Sequence, residues 1–373
     1  MVFGEHTIDQ LGTLTAELQC RKVLVVSDPG IVEAGHVDRG LTSLHQSNIE
    51  TLVFDGAREN PTTEHVDAGL EVATSFQPDL LIGLGGGSSM DCAKGINFLY
   101  SCGGCIQDYW GVGKATNEML PMIAVPTTAG TGSEMQSFAL ISDAETHVKM
   151  ACGDKKASCK VAILDPCLTL TQPSQVTALT GVDALSHALE TFVTTKRNPV
   201  SSVFSRESFR LIATHFKSVF DDPGDLTSRS GMQLGAAYAG MAIENSMLGA
   251  SHALANPLTA TYGIAHGQAV GLMLPHVIRF NGIDTNNQYG ELLAFAGIET
   301  PDSDSASERL ADFVTDLVET AGLKTDLQSL QVQAEQLPAL AEAAAQQWTG
   351  NFNPRPVNPE NLLSIYQSAF EPA

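Results

Sequence analysis

Five short apolar runs rich in β-branched residues mark the first half of the chain, and none of that kind follows Pro173. They are Lys22–Val26, Thr51–Phe54, Asp79–Leu84, Met122–Val125 and Val161–Leu164, with helix-length stretches such as Thr63–Ser75 between several of them. Strands that are apolar on both faces, joined through helices, predict a parallel α/β sheet covered on both sides. After Pro173 the pattern is helical, over Gly181–Phe192, Ser201–Phe220, Thr227–Leu248, Leu310–Ala321 and Leu330–Gln347. The last of these is expected to break or restart at Pro338, because proline removes a helical hydrogen bond. A length of 373 residues is long for one core. The expectation is therefore an α/β domain over residues 1–176 and an all-α domain over 177–373. The polar stretch Pro301–Ser305 reads as a turn ahead of a helix.

Charge narrows the function. With 42 acidic against 20 basic residues the formal net charge is −22, which disfavours nucleic acid and anionic membrane surfaces as partners. A small molecule is the expected partner, and an anionic cofactor would have to rest on backbone N–H groups and a few placed cations. Seven cysteines, an odd number, do not make a disulfide framework and point to a reducing compartment. Cys102 and Cys105 form a C-x-x-C with no second pair to complete a zinc site, and a structural role is favoured for them. The N-terminal stretch has no basic segment leading into a signal-length apolar run. Nothing elsewhere approaches the ~20 apolar residues of a membrane span. A soluble, cytoplasmic protein is expected.

Two loops suggest where a cofactor would bind. Gly85-Gly86-Gly87-Ser88-Ser89 follows the third strand and opens a helix. Glycines there let the backbone approach a ligand, and the free N–H groups of a helix start attract phosphate. Taken alone, the triple glycine fits a plain tight turn equally well; it is neither G-x-G-x-x-G nor a Walker A sequence. Pro126–Glu134, after the fourth strand, gathers Thr127, Thr128, Thr131 and Ser133 beside small residues. Two such loops on one sheet point to a dinucleotide cleft. Asp28 ends the first strand and could accept hydrogen bonds from a ribose, which would favour NAD over NADP; a solvated turn aspartate explains it as well.

Asp183 and His187 are four apart in a helical pattern with Thr180 near its cap, so they share a face. His252 lies in a segment that reads as helical to about Pro257, and His266 follows 14 residues later. Three imidazoles and a carboxylate suit Fe(II) or Zn(II) and leave room for a substrate oxygen. Spacing does not separate these histidines from His276, and a lone histidine in a helix is more often an interior residue than a ligand. The remaining histidines, His147 among them, need no special role.

Together these pieces resemble the iron-containing, or group III, alcohol dehydrogenases of the dehydroquinate synthase-like superfamily. The resemblance rests on GGGSSMDCAK, PTTAGTGSE, GVDALSHALE, the His252–His266 segment and Asn353-Pro354-Arg355-Pro356, in the expected order along nearly the whole chain. It implies a Rossmann-like dinucleotide-binding domain followed by an all-α catalytic domain, with the active site in a cleft between them. It implies Asp183, His187, His252 and His266 as metal ligands, and not His276. Cofactor contacts are implied at Asp28, Asn60, Gly86, Gly87, Ser88, Thr127, Thr128, Thr131, Phe138, Lys149 and Leu168, with Lys149 supplying a cation. The implied cofactors are Fe(II), with Zn(II) as an alternative, and NAD rather than NADP. The implied assembly is a homodimer or larger homo-oligomer.

The chain departs from the family pattern at Asn256, where many members carry a histidine that assists proton release. An amide cannot accept that proton at neutral pH. The implied chemistry is Lewis-acid activation of an alcohol oxygen, with hydride passing to the nicotinamide. Other readings are a zinc-dependent polyol dehydrogenase of the glycerol type, a dehydroquinate-synthase-like lyase and a non-catalytic nucleotide-binding protein, the last disfavoured by the presence of all four ligand candidates. The lyase would need more cations in its site than this acidic chain offers. Tyr109, Trp110 and Phe138 are candidates to line an apolar substrate pocket, or else core residues.

Overall fold

All five apolar runs become strands of a single sheet. The computed structural model describes residues 1–146, 148–300 and 305–371. Its strands are β1 (Val2–Phe3), β2 (Lys22–Val26), β3 (Glu50–Phe54), β4 (Leu80–Gly85), β5 (Gly111–Val112), β6 (Met122–Pro126), β7 (Phe138–Ser142), β8 (Lys149–Gly153) and β9 (Val161–Leu164). Six of them form a sheet in the order β1-β9-β6-β4-β2-β3, every neighbouring pair parallel. Helices α1 (Leu11–Glu17), α2 (Pro29–Glu33), α3 (His36–Gln46), α4 (Thr63–Phe76) and α5 (Gly87–Cys102) connect or cover it.

The alternation of side chains along a strand explains the two layers. Val23, Val25, Leu80, Ile82 and Leu84 pack with Leu11, Val37 and Leu44 from α1 and α3. Their neighbours Leu24, Val26 and Leu81 pack on the opposite face with Val66, Ala93 and Ile96 from α4 and α5. The chain leaves β2 for edge strand β3, then crosses back to β4 on the other side of β2. The reversal puts a topological switch point at the carboxyl ends of β2 and β4, where open α/β sheets bind ligands.

A second sheet, ordered β5-β8-β7, was not anticipated. Its strands lack the β-branched runs that mark the main sheet. In β7 the core face is carried only by Ala139 and Ile141, while Leu140 is 38% exposed. Such half-buried strands alternate too briefly to stand out in sequence.

By internal packing the chain divides into Met1–Gln172 and Pro173–Ala373. Among the described residues the second unit holds no strand. Its helices are α6 (Ser174–Val193), α7 (Pro199–His215), α8 (Ser218–Asp221), α9 (Leu226–Glu244), α10 (Ala250–Tyr262), α11 (His266–Phe295), α12 (Ala306–Thr320), α13 (Leu337–Ala345) and α14 (Pro359–Ser368).

Several boundaries differ from expectation. Thr180 is not near a cap: α6 starts two turns earlier, after Pro173, and the Thr180 hydroxyl is absorbed by the Val176 carbonyl at 2.8 Å. The stretch 201–220 divides into α7 and α8. Helix α10 does not end at Pro257 but runs to Gly263, whose φ of +67° provides a left-handed stop. Leu254, Ala255 and Leu258 are fully buried around that proline, and packing outweighs one lost bond. The restart expected at Pro338 is present: α13 begins at Leu337, and Pro338 sits in its first turn, where its missing N–H is harmless. Helix α11 was not foreseen, because residues 267–275 are buried all round and show no polar face. Of the stretch Pro301–Ser305, residues 301–304 lie outside the described residues, as does His147; Ser305 precedes α12.

The entry of α11 is fixed by one glycine. A Cβ on Gly267 would stand 2.1 Å from the Leu179 carbonyl oxygen of α6, a backbone atom that cannot swing aside. Gly267→Ala is expected to cost about 1–3 kcal/mol through overpacking, measured as a lower urea midpoint with an unchanged m-value.

Candidate active site

Helix α6 carries Asp183, His187 and Glu190 at spacings of four and three, which places all three on one face. They are 6%, 5% and 4% exposed. Opposite them stand His252, in the first turn of α10, and His266, the first residue of α11. The Nε2 atoms of His187, His252 and His266 stand 3.4, 3.6 and 3.8 Å from Asp183 Oδ1. The Nε2 atoms of His187 and His252 are 3.1 Å apart.

The atoms of Asp183, His187 and His252 lie close enough to one another to hold a metal, with His266 at the edge of the group, 3.8 Å from Asp183. A tetrahedral ion with bonds of about 2.0–2.1 Å separates its ligand atoms by roughly 3.3 Å, close to the distances found. Among the described residues Asp183 Oδ1 receives no well-directed hydrogen bond although it is buried. A buried carboxylate oxygen without a donor, faced by nitrogens with lone pairs, calls for a cation. Burial would raise the Asp183 carboxyl, but the His187, His252 and His266 rings override it and hold it well below the usual carboxylate range. Burial would likewise lower His252, yet Glu190 and Asp183 hold it up at about 9. A metal there competes with that proton.

Glu190 is the residue that the sequence reading missed. Its Oε2 lies 2.5 Å from His252 Nδ1, and its Oε1 accepts the Ser251 N–H at 2.6 Å. The signal was available: seven residues after Asp183, it falls on the same helical face. His276 is not part of the cluster; it contacts Ser368 at 3.2 Å, and burial lowers its ring to about 4. Asn256, one turn beyond His252, is half-buried and its amide donates to Gln347 Oε1 at 2.9 Å.

The cofactor candidates lie in the first unit. Helix α5 starts at Gly86–Gly87 at the switch point, and no side chain caps its first N–H groups. A Cβ on Gly87 would meet Thr131 Oγ1 at 2.5 Å, which ties the two loops together. Gly86, Ser88, Thr128 and Thr131 are half-buried beside them, and the Thr127 hydroxyl is buried without a hydrogen-bond partner among the described residues. Asp28 caps α2 through the Ile31 N–H at 3.2 Å, while its other oxygen accepts from Ser89 at 3.1 Å across the switch point. Lys149 Nζ donates to Asn60 Oδ1 at 3.3 Å, Asn60 being left-handed with φ of 50°. Phe138 opens β7 and is half-buried. Leu168 is only 1% exposed and packs in the core beneath the sheet.

The cradle is braced from behind by a fully buried lysine. Lys94 Nζ donates to the Ser133 carbonyl at 2.7 Å, to Ser133 Oγ at 2.9 Å and to the Phe138 carbonyl at 2.9 Å. Ser133 Oγ in turn donates to Asp91 at 2.6 Å. Lys94 therefore pins both the threonine loop and the start of β7 to α5. Both Asp91 and Lys94 belong to the glycine-loop motif, where sequence alone gave them no role.

Tyr109 is a core residue: it packs against Phe98 with the rings tilted and donates to the Gly103 carbonyl at 2.6 Å. Trp110 is not in the core, being 52% exposed. All seven cysteines are free, and the Cys105 thiol contacts Asp108. Glu5, His6 and Cys167 also gather, but Arg39 already lies 3.0 Å from His6 Nδ1, a cation where a metal would compete.

Burial of Glu134 beside this brace has a consequence for stability. Burial raises its carboxyl from 4.5 to about 7, with its own backbone N–H and Lys94 opposing. Between those values the folded state holds a proton that the unfolded state has lost, so stability falls as pH rises through the window. The decrease is on the order of 3 kcal/mol, complete above about pH 7. Glu134→Gln is expected to flatten this part of the stability–pH curve, measured by denaturant unfolding from pH 4.5 to 8.

Comparison with known proteins identifies the family. Residues 1–166 match the family model for iron-containing alcohol dehydrogenase, and residues 177–370 match that for the C-terminal part of the Fe-containing alcohol dehydrogenase family. The chain is 35% identical over 370 residues to alcohol dehydrogenase 4 of Schizosaccharomyces pombe, covering 99% of this chain and 87% of that protein. It is 30% identical to the NAD-dependent methanol dehydrogenase of Bacillus methanolicus over 370 residues, 99% and 97% of the two chains. The crystal structure of a 1,3-propanediol oxidoreductase superposes with a TM-score of 0.96 at 33% identity, over 99% of this chain and 97% of the other. The chain belongs to the iron-containing alcohol dehydrogenase family and is a metal-dependent oxidoreductase acting on CH–OH groups.

Proposed function

We propose that the protein interconverts a small alcohol and its aldehyde with NAD, and that Asp183, His187, His252 and His266 hold Fe(II), with Zn(II) as an alternative occupant. The observation that carries this reading is the convergence of three imidazole nitrogens on a buried Asp183 oxygen that lacks a hydrogen bond. When bound, the metal supplies Lewis acidity toward the substrate oxygen, and NAD accepts the hydride.

The chain's own groups do the rest. Residues 1–176 serve as the dinucleotide-binding domain and 177–373 as the metal-binding domain. The uncapped N–H groups of α5, with Gly86, Gly87 and Ser88, take the pyrophosphate, and Thr127, Thr128 and Thr131 provide neutral hydrogen bonds. Asn60, Phe138, Lys149 and Leu168 complete the cradle, Leu168 from beneath. Asp28 favours an unmodified ribose, and hence NAD, because its carboxylate repels a 2′-phosphate. Asn256 cannot accept a proton, and Gln347 already occupies its amide. The substrate proton therefore leaves through water or a cofactor ribose hydroxyl. A cytoplasmic homo-oligomer is the setting that goes with this reading.

The test is a panel of primary alcohols, glycerol and aldehydes assayed with NAD and NADP on protein loaded with Fe(II) or Zn(II). Alcohol-dependent NADH formation is expected, faster than NADPH formation. Asp183→Ala is expected to lower kcat/KM by more than about a hundredfold. Full activity after exhaustive chelation, or in Asp183→Ala, would overturn the reading.

A further inference from the structure

His252 sits three residues into α10 from its N-cap, where the first N–H groups of a helix need outside partners. The N-cap is Gly249, which has no side chain to supply one. Two distant residues do so instead. The Ala250 N–H donates to Asn353 Oδ1 at 3.2 Å, and the Ser251 N–H donates to Glu190 Oε1 at 2.6 Å. A Cβ on residue 249 would lie 3.0 Å from Asn353 Oδ1 and 3.1 Å from Glu190 Oε1, so the glycine makes room for both.

Asn353 is itself held in one orientation. Its Nδ2 donates to Asn281 Oδ1 at 2.7 Å and to the Arg355 carbonyl at 2.8 Å, while Asn281 Nδ2 returns a bond to Asn353 Oδ1 at 3.1 Å. Arg355 is anchored through the Phe280 carbonyl at 2.9 Å and over the Phe280 ring at 4.1 Å. The Asn353-Pro354-Arg355-Pro356 motif thus clamps the start of α10 to the middle of α11. Glu190, Asn281 and Asn353 are 4%, 2% and 3% exposed, so water does not stand in for any of them.

We infer that Glu190 and Asn353 are positioning residues of the metal centre, Glu190 setting the tautomer of His252 and Asn353 setting the place of its helix. A carboxylate is acceptor-only, so the 2.5 Å contact requires the hydrogen on His252 Nδ1. Nε2 then presents its lone pair toward Asp183 and His187. The inference rests on the ligand reading given under Proposed function.

Two experiments on the full-length protein separate the inference from that reading. In the first, Co(II) is titrated into the wild type and variants, following affinity and the visible d–d spectrum. Glu190→Gln keeps an oxygen for the Ser251 N–H but turns an amide N–H toward His252 Nδ1. It is expected to weaken Co(II) binding about 10- to 100-fold and alter the spectrum, with little change in metal-free melting temperature. Asn353→Ala removes the cap and is expected to lower that melting temperature as well as affinity. Asp183→Ala is the control: unchanged Co(II) binding there sinks the ligand reading itself. Loss of binding in Asp183→Ala with wild-type affinity and spectrum in Glu190→Gln would overturn the positioning role alone. The second experiment needs no folded variant: side-chain ¹⁵N NMR of the Zn(II)-loaded wild type is expected to show His252 protonated at Nδ1 and metal-bound at Nε2. The opposite tautomer would refute the inference.

Discussion

A carboxylate oxygen buried among three imidazole nitrogens is expensive for any fold unless a cation neutralises it, and the helical unit is arranged so that this cost is met in one place. Asp183 and His187 come from one helix, His252 and His266 from the first turns of two others. Each helix start is held by something other than its own cap. Gly267 presses α11 against the Leu179 carbonyl, and Glu190 with Asn353 holds α10. The polar residues spent on these anchors are buried and satisfied by one another, as a rigid site in a low-dielectric interior requires.

The α/β unit solves a different problem with the same economy. A chain with so few cations must hold an anionic cofactor mainly through backbone dipoles. Its fully buried Lys94 is turned away from that task and fastens Ser133 and Phe138 from behind. Its positive charge braces the loops, while the N–H groups of α5 remain open at the switch point.

How much of this could be read in the sequence follows from how local each signal was. The main sheet was legible because doubly buried parallel strands are apolar without interruption, and all five anticipated runs are strands. The short second sheet was not, since β5 is only two residues long, β8 lacks β-branched residues and β7 alternates only briefly. Helix ends were misplaced at Thr180 and Pro257 because a cap or proline weighs little against buried neighbours such as Leu254 and Leu258, whereas the restart at Pro338 was legible. Asp183 and His187 announced themselves by spacing, whereas His252 and His266 depended on a resemblance, their meeting being a matter of tertiary packing. Glu190 shared the face of Asp183 and could have been found by following that periodicity one turn further. No local pattern joins Asn353 to Gly249.

That long-range link ties the placement of His252 to the C-terminal segment. Asn353 caps a helix that begins 103 residues before it. Until the Asn-Pro-Arg-Pro segment has docked, α10 has an unpartnered first N–H and nothing but Glu190 to aim its histidine. The place of His252 therefore depends on a segment about a hundred residues further along the chain, and damage to that C-terminal segment would be felt at the start of α10.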